Sequence, residues 1–107
     1  VKTIVKNYFK MVEELQSKNI TVVIQATLYV GTDRESYSQK NKEVTILNTE
    51  LRNYALKENI RFIDINPMVC ENTVLNSKFT VDGLHLNAGG YALLIPEIEK
   101  ALVSNGL

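Results

Sequence analysis

The only histidine in the chain, His85, follows an aspartate by three positions in the segment Asp82-Gly83-Leu84-His85. A histidine side chain titrates near neutral pH, so it can take a proton from a hydroxyl nucleophile and return it to a leaving group. A carboxylate bonded to the second ring nitrogen would fix the tautomer and stabilise the imidazolium. Asp82 and His85 can pair in this way if Gly83 allows a tight turn. The spacing therefore makes Asp82 a candidate orienting acid and His85 a candidate general base.

The same spacing has a purely structural interpretation. An aspartate at this position is commonly a cap for the backbone amides that follow it, with the histidine satisfied by its neighbours. A metal site would need at least a third converging ligand, and a single cysteine, Cys70, excludes an internal disulfide or a cysteine-built metal site. We expect Cys70 to be a half-buried small apolar residue, and we expect no metal.

The wider segment carries a family resemblance. Residues 82–87 have the sequence Asp-Gly-Leu-His-Leu-Asn, followed by Gly-Gly-Tyr and an apolar helix at the end of the chain. This resembles the last sequence block of the SGNH (GDSL-type) hydrolases, a family of serine esterases and acetylesterases. The resemblance implies that Asp82 orients His85, that His85 is the base for a serine nucleophile, and that no cofactor is needed. It further implies a small-molecule substrate, a small acyl ester of a carbohydrate or lipid.

Helix and strand patterns alternate along the rest of the chain. Apolar residues recur at helical spacing over residues 1–15, which predicts an amphipathic helix ending near residues 17–19. The β-branched run 20–26 predicts a strand buried on both faces of a parallel sheet. A second helix is expected over about residues 39–57 and a second strand over 61–65. Asn48 lies in the second helix and is assigned no chemistry.

The connections and the last helix are less regular. The polar loop 27–39 follows a strand, so it either lines a ligand site or is a solvated connection. Asp64 is expected to be structural, and residues 68–78 to form a short helical turn and a loop. Asn87 should cap the last helix, in which Pro96 predicts a kink or a restart. The expected core face of that helix consists of Tyr91, Leu94, Ile95, Ile98 and Leu102.

Composition sets further limits. Twelve basic residues balance twelve acidic ones, so no charge pattern for nucleic acid or an anionic membrane is present. Apolar residues make up 45% of the 107, and no apolar run reaches the ~20 residues of a spanning helix. The alternation of helices and strands, with the family resemblance, predicts an α/β fold: a three-layer α/β/α, flavodoxin-like arrangement around a parallel sheet.

The predicted sheet is too small to stand alone. Two parallel strands leave both edges open, and a two-stranded sheet is marginal in water. The Gly-Asp-Ser block that carries the SGNH nucleophile is missing, and the five serines lack its context. We therefore expect residues 1–107 to be the C-terminal part of a single SGNH domain, inactive alone. Its expected partner is the missing N-terminal half, or another copy joined through the open sheet edge.

A second function remains open at this point. The chain could be a non-catalytic α/β binding or assembly module in which the Asp-His turn is structural. The two functions differ in what they require of His85. A base needs an accessible ring with one free nitrogen facing open space, whereas a structural histidine would be buried with both nitrogens bonded to backbone.

Overall fold

A computed structural model describes residues 1–104 of the chain. Helices and strands alternate in the first two thirds, and a small hairpin precedes the last helix. The elements are α1 (Lys2–Ser17), β1 (Val23–Gln25), α2 (Tyr37–Lys57), β2 (Arg61–Ile63), α3 (Asn66–Val69), β3 (Cys70–Glu71), β4 (Val74–Leu75), a 3₁₀ turn (Ser77–Phe79) and α4 (Ala88–Ser104). None of the helices in this part of the chain is long and apolar enough to cross a membrane.

The central layer is a parallel pair of strands, β1 and β2, in which Ile24 lies opposite Phe62. Successive side chains of a strand point to opposite faces. Ile24 and Phe62 accordingly join a cluster with α1 and α2, while the neighbouring Ile63 joins a cluster with α3 and α4. Helices thus cover both sides of the sheet, which is the predicted three-layer α/β/α arrangement.

Each cluster is centred on fully buried aliphatic side chains. The cluster beneath α1 and α2 is built on Val12, Ile24, Leu51 and Ala55. The cluster beneath α4 is built on Ile65, Val69, Leu75, Leu86 and Leu94. Leu86 directly follows His85, so the second cluster anchors the chain immediately after the candidate base.

Two asparagines make the sharp turns from helix to strand. Asn19 and Asn59 have φ angles of 61° and 56°, in the left-handed region that asparagine tolerates better than most residues. Beyond them, the Ile20 amide donates to the Leu15 carbonyl at 3.1 Å, and the Ile60 amide donates to the Ala55 carbonyl at 2.8 Å. These bonds satisfy carbonyls at the helix ends, so each helix stops and the chain enters the next strand.

The strands are shorter than predicted. β1 spans three residues rather than 20–26, and β2 ends at Ile63 rather than at residue 65. The expectation that the first strand is buried on both faces is wrong for the described part of the chain, because Val23 is only half-buried and Gln25 is exposed. The physical reason is that α4 packs mainly against β2, so the face of β1 that carries Val23 and Gln25 is only partly covered.

The hairpin β3–β4 was not predicted from the sequence. Its two strands pair antiparallel, with Cys70 opposite Leu75. Asn72 and Thr73 form the two-residue loop and have φ angles of 51° and 61°. A type I′ two-residue loop needs positive φ at both positions, a role usually filled by Asn-Gly. Because threonine stands at the second position in place of glycine, the sequence did not predict a hairpin here.

The core face of α4 differs from the predicted one. Leu94 is buried and Ile98 packs against the core, as expected. Tyr91, Ile95 and Leu102, however, are 47%, 51% and 37% exposed.

Small residues complete the buried side of α4 instead. They are Gly90 and Ala101. A Cβ at Gly90 would lie 2.9 Å from Leu86 Cδ2, so glycine permits the helix to approach closely here. The helix continues through Pro96 without the predicted restart.

Candidate active site

The turn at residues 82–85 is organised by both oxygens of one carboxylate. Asp82 Oδ1 accepts hydrogen bonds from the backbone amides of Leu84 and His85, each at 2.8 Å. Asp82 Oδ2 lies 2.8 Å from His85 Nδ1. Gly83 takes a φ of 76°, which lets the chain reverse between the two side chains. Asp82 is therefore both a turn cap and the partner of the histidine, so the two interpretations of the spacing are compatible.

The charge state of Asp82 determines which histidine nitrogen is free. The hydrogen bond from the His85 side chain, and then those from the His85 and Leu84 amides, hold the pKa of the Asp82 carboxyl well below its usual range. An ionised carboxylate can only accept, so in the neutral ring Nδ1 carries the proton and donates it. The lone pair is then on Nε2. That tautomer is the one a general base requires.

The histidine ring is open to solvent. The His85 side chain is 71% exposed, and within residues 1–104 no group is hydrogen bonded to its Nε2. His85 is therefore not a buried histidine with both ring nitrogens bonded to backbone. The geometry can accept a proton from a group brought to Nε2.

A threonine two residues before the aspartate closes the turn. Thr80 Oγ1 donates to the His85 carbonyl at 2.6 Å and accepts from the Gly83 amide at 3.0 Å. Thr80 also forms an isolated antiparallel bridge with Leu86. Residues 80 and 86 thus bracket the turn, and Leu86 ties it to the core beneath α4.

The loop after β1 packs against the same turn. The Gly31 amide donates to the Gly83 carbonyl at 2.8 Å. A side chain at Gly83 would overlap the Asp33 carboxylate, which lies directly over that glycine. Residues 31–33 also line an open groove of about 580 Å³, together with Thr80 and Val81. The loop therefore borders a groove beside the Asp-His turn.

Three buried asparagines brace that loop, and sequence reasoning missed all three. Asn41 bonds the amide and carbonyl of Val30, at 2.8 and 3.0 Å. Asn48 bonds the amide and carbonyl of Thr27, both at 2.8 Å. Asn66 bonds the Thr27 carbonyl at 2.9 Å and accepts from the Tyr29 amide at 3.2 Å.

The asparagine amides act as the missing strand partners of this segment. Each side chain supplies a donor and an acceptor to backbone that lies beyond the end of β1 and outside the β1–β2 pairing. A signal was present in the sequence: Asn41 and Asn48 are seven residues apart, on the same helical face as Leu51 and Ala55, where a polar residue is out of place. That face is buried.

The remaining predicted positions have structural roles. Asp64 accepts from the Asn66 amide at 3.0 Å and pairs with Arg52 at 2.9 Å. Asn87 caps α4, since its Oδ1 accepts from the Gly90 amide at 3.0 Å. Burial raises the pKa of the Cys70 thiol to about 11, so this cysteine is not a thiolate nucleophile at neutral pH.

The Asp-His turn lacks a nucleophile among the described residues. No hydroxyl or thiol of residues 1–104 is hydrogen bonded to His85 Nε2. The same residues contain no group of three or more histidine, cysteine, aspartate or glutamate side chains that could hold a metal ion. The described part of the site is therefore a carboxylate–imidazole pair with an exposed ring nitrogen.

Comparison with known proteins assigns the chain to a family. The model of the GDSL-like lipase/acylhydrolase family matches residues 1–93. The chain belongs to that family. This confirms the resemblance carried by residues 82–87 and identifies the fold as a portion of the GDSL (SGNH) hydrolase fold.

Two solved structures resemble this chain closely. One is a proposed acylhydrolase from Bacteroides fragilis NCTC 9343, with 27% identity and a TM-score of 0.87 over 97% of this chain and 52% of that one. The other is a GDSL-like lipase from Bacteroides thetaiotaomicron VPI-5482, with 25% identity and a TM-score of 0.83 over 94% of this chain and 51% of that one. No curated protein matches the chain. The chain thus spans about half the length of the solved structures it matches.

Proposed function

We propose that this chain supplies the Asp-His part of the catalytic triad of a GDSL-type serine ester hydrolase, with Asp82 as the orienting acid and His85 as the general base. The observation that carries the proposal is the 2.8 Å contact between Asp82 Oδ2 and His85 Nδ1 on an otherwise exposed ring. That contact leaves Nε2 with a lone pair, directed to where a substrate and a nucleophile could approach. Family membership supports the same reaction class.

The proton movements follow from this arrangement. A serine hydroxyl transfers its proton to Nε2 as its oxygen bonds to the ester carbonyl carbon, and Asp82 stabilises the imidazolium. Nε2–H then gives the proton to the leaving alkoxide as the carbonyl carbon–oxygen bond breaks, which leaves an acyl-enzyme. Water then attacks the acyl carbon as Nε2 takes its proton, and Nε2–H returns that proton to the serine oxygen as the acyl–serine bond breaks, which releases a carboxylic acid and regenerates the serine. Neither a metal nor an organic cofactor is needed.

In this proposal residues 1–107 are the C-terminal part of a single hydrolase domain, and the serine comes from a segment outside them. Three observations support it. The chain spans about half of the matched structures. One face of β1 is uncovered at Gln25. Large apolar side chains of α4, including Tyr91 and Ile95, are exposed where a further layer could pack. Residues 1–107 alone would then be inactive.

The substrate we propose is a small acyl ester of a carbohydrate or lipid. Family membership is its main support, together with the groove of about 580 Å³ beside the turn, whose lining mixes hydroxyl, amide and carboxylate groups with apolar ones. The balanced charge gives no reason to expect a nucleic acid partner. Besides the ester, the partner would be the remaining half of the domain or, failing that, a second copy joined at the sheet edge.

The alternative of a non-catalytic module is less well supported. It required a buried His85 with both nitrogens bonded to backbone. The ring is instead 71% exposed and bonded to a carboxylate through one nitrogen. No feature of the described residues favours the module specifically.

Ester turnover by the natural full-length protein tests the proposal. With p-nitrophenyl acetate, we expect His85→Ala and Asp82→Asn to lose on the order of 10³-fold or more in kcat/KM, as removal of triad members does elsewhere. Lys100→Ala is a matched control, since it breaks an exposed ion pair to Glu97, also at three-residue spacing, away from the turn. Retention of a tenth or more of wild-type activity by His85→Ala would overturn the proposal. Turnover by monomeric residues 1–107 would overturn the half-domain part of it.

A further inference from the structure

The hydroxyl of Thr80 bonds two backbone groups of the Asp-His turn. It donates to the His85 carbonyl at 2.6 Å and accepts from the Gly83 amide at 3.0 Å. The same oxygen is 3.4 Å from Asp82 Oδ1. One side chain therefore contacts the backbone of the base, the backbone of the glycine and the carboxylate that orients the base.

We propose that Thr80 is a positioning residue, whose hydroxyl keeps the turn closed so that Asp82 and His85 stay in contact. The effect of Thr80 on ester turnover rests on the proposed function, whereas its effect on the contact between Asp82 and His85 does not. Thr80 need not contact substrate or nucleophile to act in this way. It acts through the Gly83 amide and the His85 carbonyl.

The need for such a residue follows from the exposure of the turn. Asp82 and His85 are both solvent-exposed, so water competes for every hydrogen bond that their side chains make. The pair stays together only if the backbone between them is already folded. Three groups of that backbone are held from outside: the Gly83 carbonyl by the Gly31 amide at 2.8 Å, and the Gly83 amide and His85 carbonyl by Thr80. The bond to the His85 carbonyl is the attachment closest to the base.

Threonine suits this position chemically. Its hydroxyl donates and accepts at the same time, which matches one carbonyl and one amide. Its β-branched side chain has few χ1 states, so little rotational freedom is lost on closing the turn. The isolated bridge between Thr80 and Leu86 fixes the backbone from which the hydroxyl projects. Valine has nearly the same shape without the hydroxyl, and serine has the hydroxyl without the methyl.

The test compares Thr80→Val and Thr80→Ser in the natural full-length protein. The matched control is Thr49→Val, which removes an exposed hydroxyl bonded to the Thr45 carbonyl at 2.9 Å on α2. The first measurement is the titration of the Asp82 carboxyl by ¹³C NMR. We expect its pKa to rise toward the ordinary value of ~3.9 in Thr80→Val. In Thr80→Ser and Thr49→Val it should remain below that value.

The second measurement is ester turnover. Misplacing a catalytic group by about 1 Å can cost ~10²-fold, so we expect Thr80→Val to lose on the order of 10- to 100-fold in kcat, with the loss largely restored by serine. A generally destabilised variant would not be rescued in this way.

The outcomes separate the two proposals. If the wild-type protein hydrolyses no ester, the proposed function fails, and the Asp82 titration still decides the role of Thr80. An Asp82 titration that is the same in wild type and Thr80→Val would overturn the positioning role. So would equal losses of kcat in the valine and serine variants.

Discussion

Replacing Asn41 with leucine should strongly destabilise the protein, although leucine is apolar and of similar size. Asn41 is 4% exposed and makes two hydrogen bonds to the backbone of Val30. The two backbone groups would be affected differently. The Val30 carbonyl keeps a second donor, the Leu75 amide at 3.2 Å. The Val30 amide loses the acceptor that Asn41 Oδ1 provides.

The magnitude follows from that difference. A buried amide left without an acceptor costs ~1–3 kcal/mol, and one hydrogen bond lost at a carbonyl that keeps another partner costs ~0.5–1.5 kcal/mol. Leucine recovers part of this through apolar burial. We expect the free energy of unfolding to fall by about 1–3 kcal/mol. The total stability of a folded domain is ~5–15 kcal/mol, so the effect should be easily measured in the natural full-length protein.

Urea unfolding of the wild-type protein and two variants gives the comparison. Asn53→Leu is the matched control, because Asn53 lies exposed on the same helix. It should change the free energy of unfolding by less than ~0.5 kcal/mol. If Asn41→Leu behaves like Asn53→Leu, the asparagine amides do not brace the loop, and the argument that they replace a strand partner is refuted.

Four further outcomes are expected. Gly83→Ala should destabilise the turn by ~1 kcal/mol or more, measured by urea unfolding, because its φ of 76° is unfavourable for alanine and the new methyl would overlap Asp33; a neutral effect would contradict both reasons. The Asp82 carboxyl has a lowered pKa in the folded protein, so its contribution to stability should be fully present above pH ~3.9. That contribution should be lost only as the pH falls through the lower pKa of the folded state, and Asp82→Asn should remove this part of the pH dependence of unfolding. Cys70, with a pKa of about 11, should react with iodoacetamide at neutral pH far more slowly in the native than in the unfolded protein, and equal rates would refute its burial. Tyr54→Phe should be neutral or slightly stabilising in urea unfolding, since the buried Tyr54 hydroxyl has no hydrogen-bond partner in the described chain.

The sequence predicted the elements whose patterns are local. Helices α1 and α2 lie within two residues of their predicted bounds, because each repeats apolar residues at helical spacing. Asp82 and His85 were found from residue type and spacing, and the structure brings their side chains together at 2.8 Å. Their catalytic roles remain a prediction.

What the sequence did not predict depends on contacts between distant segments. The loop after β1 is held by asparagine side chains from α2 and α3, up to 39 residues away. A local sequence pattern cannot predict a hydrogen bond between segments that far apart. The buried side of α4 depends on Gly90 and Ala101, which periodicity overlooks because small residues carry little hydrophobic signal. The sequence did not indicate a role for Thr80 either, because that role depends on its hydrogen bonds to the Gly83 amide and the His85 carbonyl, which no sequence pattern predicts.

Labelling with an organophosphonate ester tests the central claim most directly. Such a reagent forms a bond to an activated serine and loses its leaving group, so intact mass and peptide mapping identify the serine without a substrate. In the natural full-length protein the account predicts a single adduct on a serine outside residues 1–107, formed on the order of 10³-fold more slowly in His85→Ala. No adduct in the wild-type protein, or equal labelling rates in wild type and His85→Ala, would contradict the role of His85 as the base for a serine nucleophile.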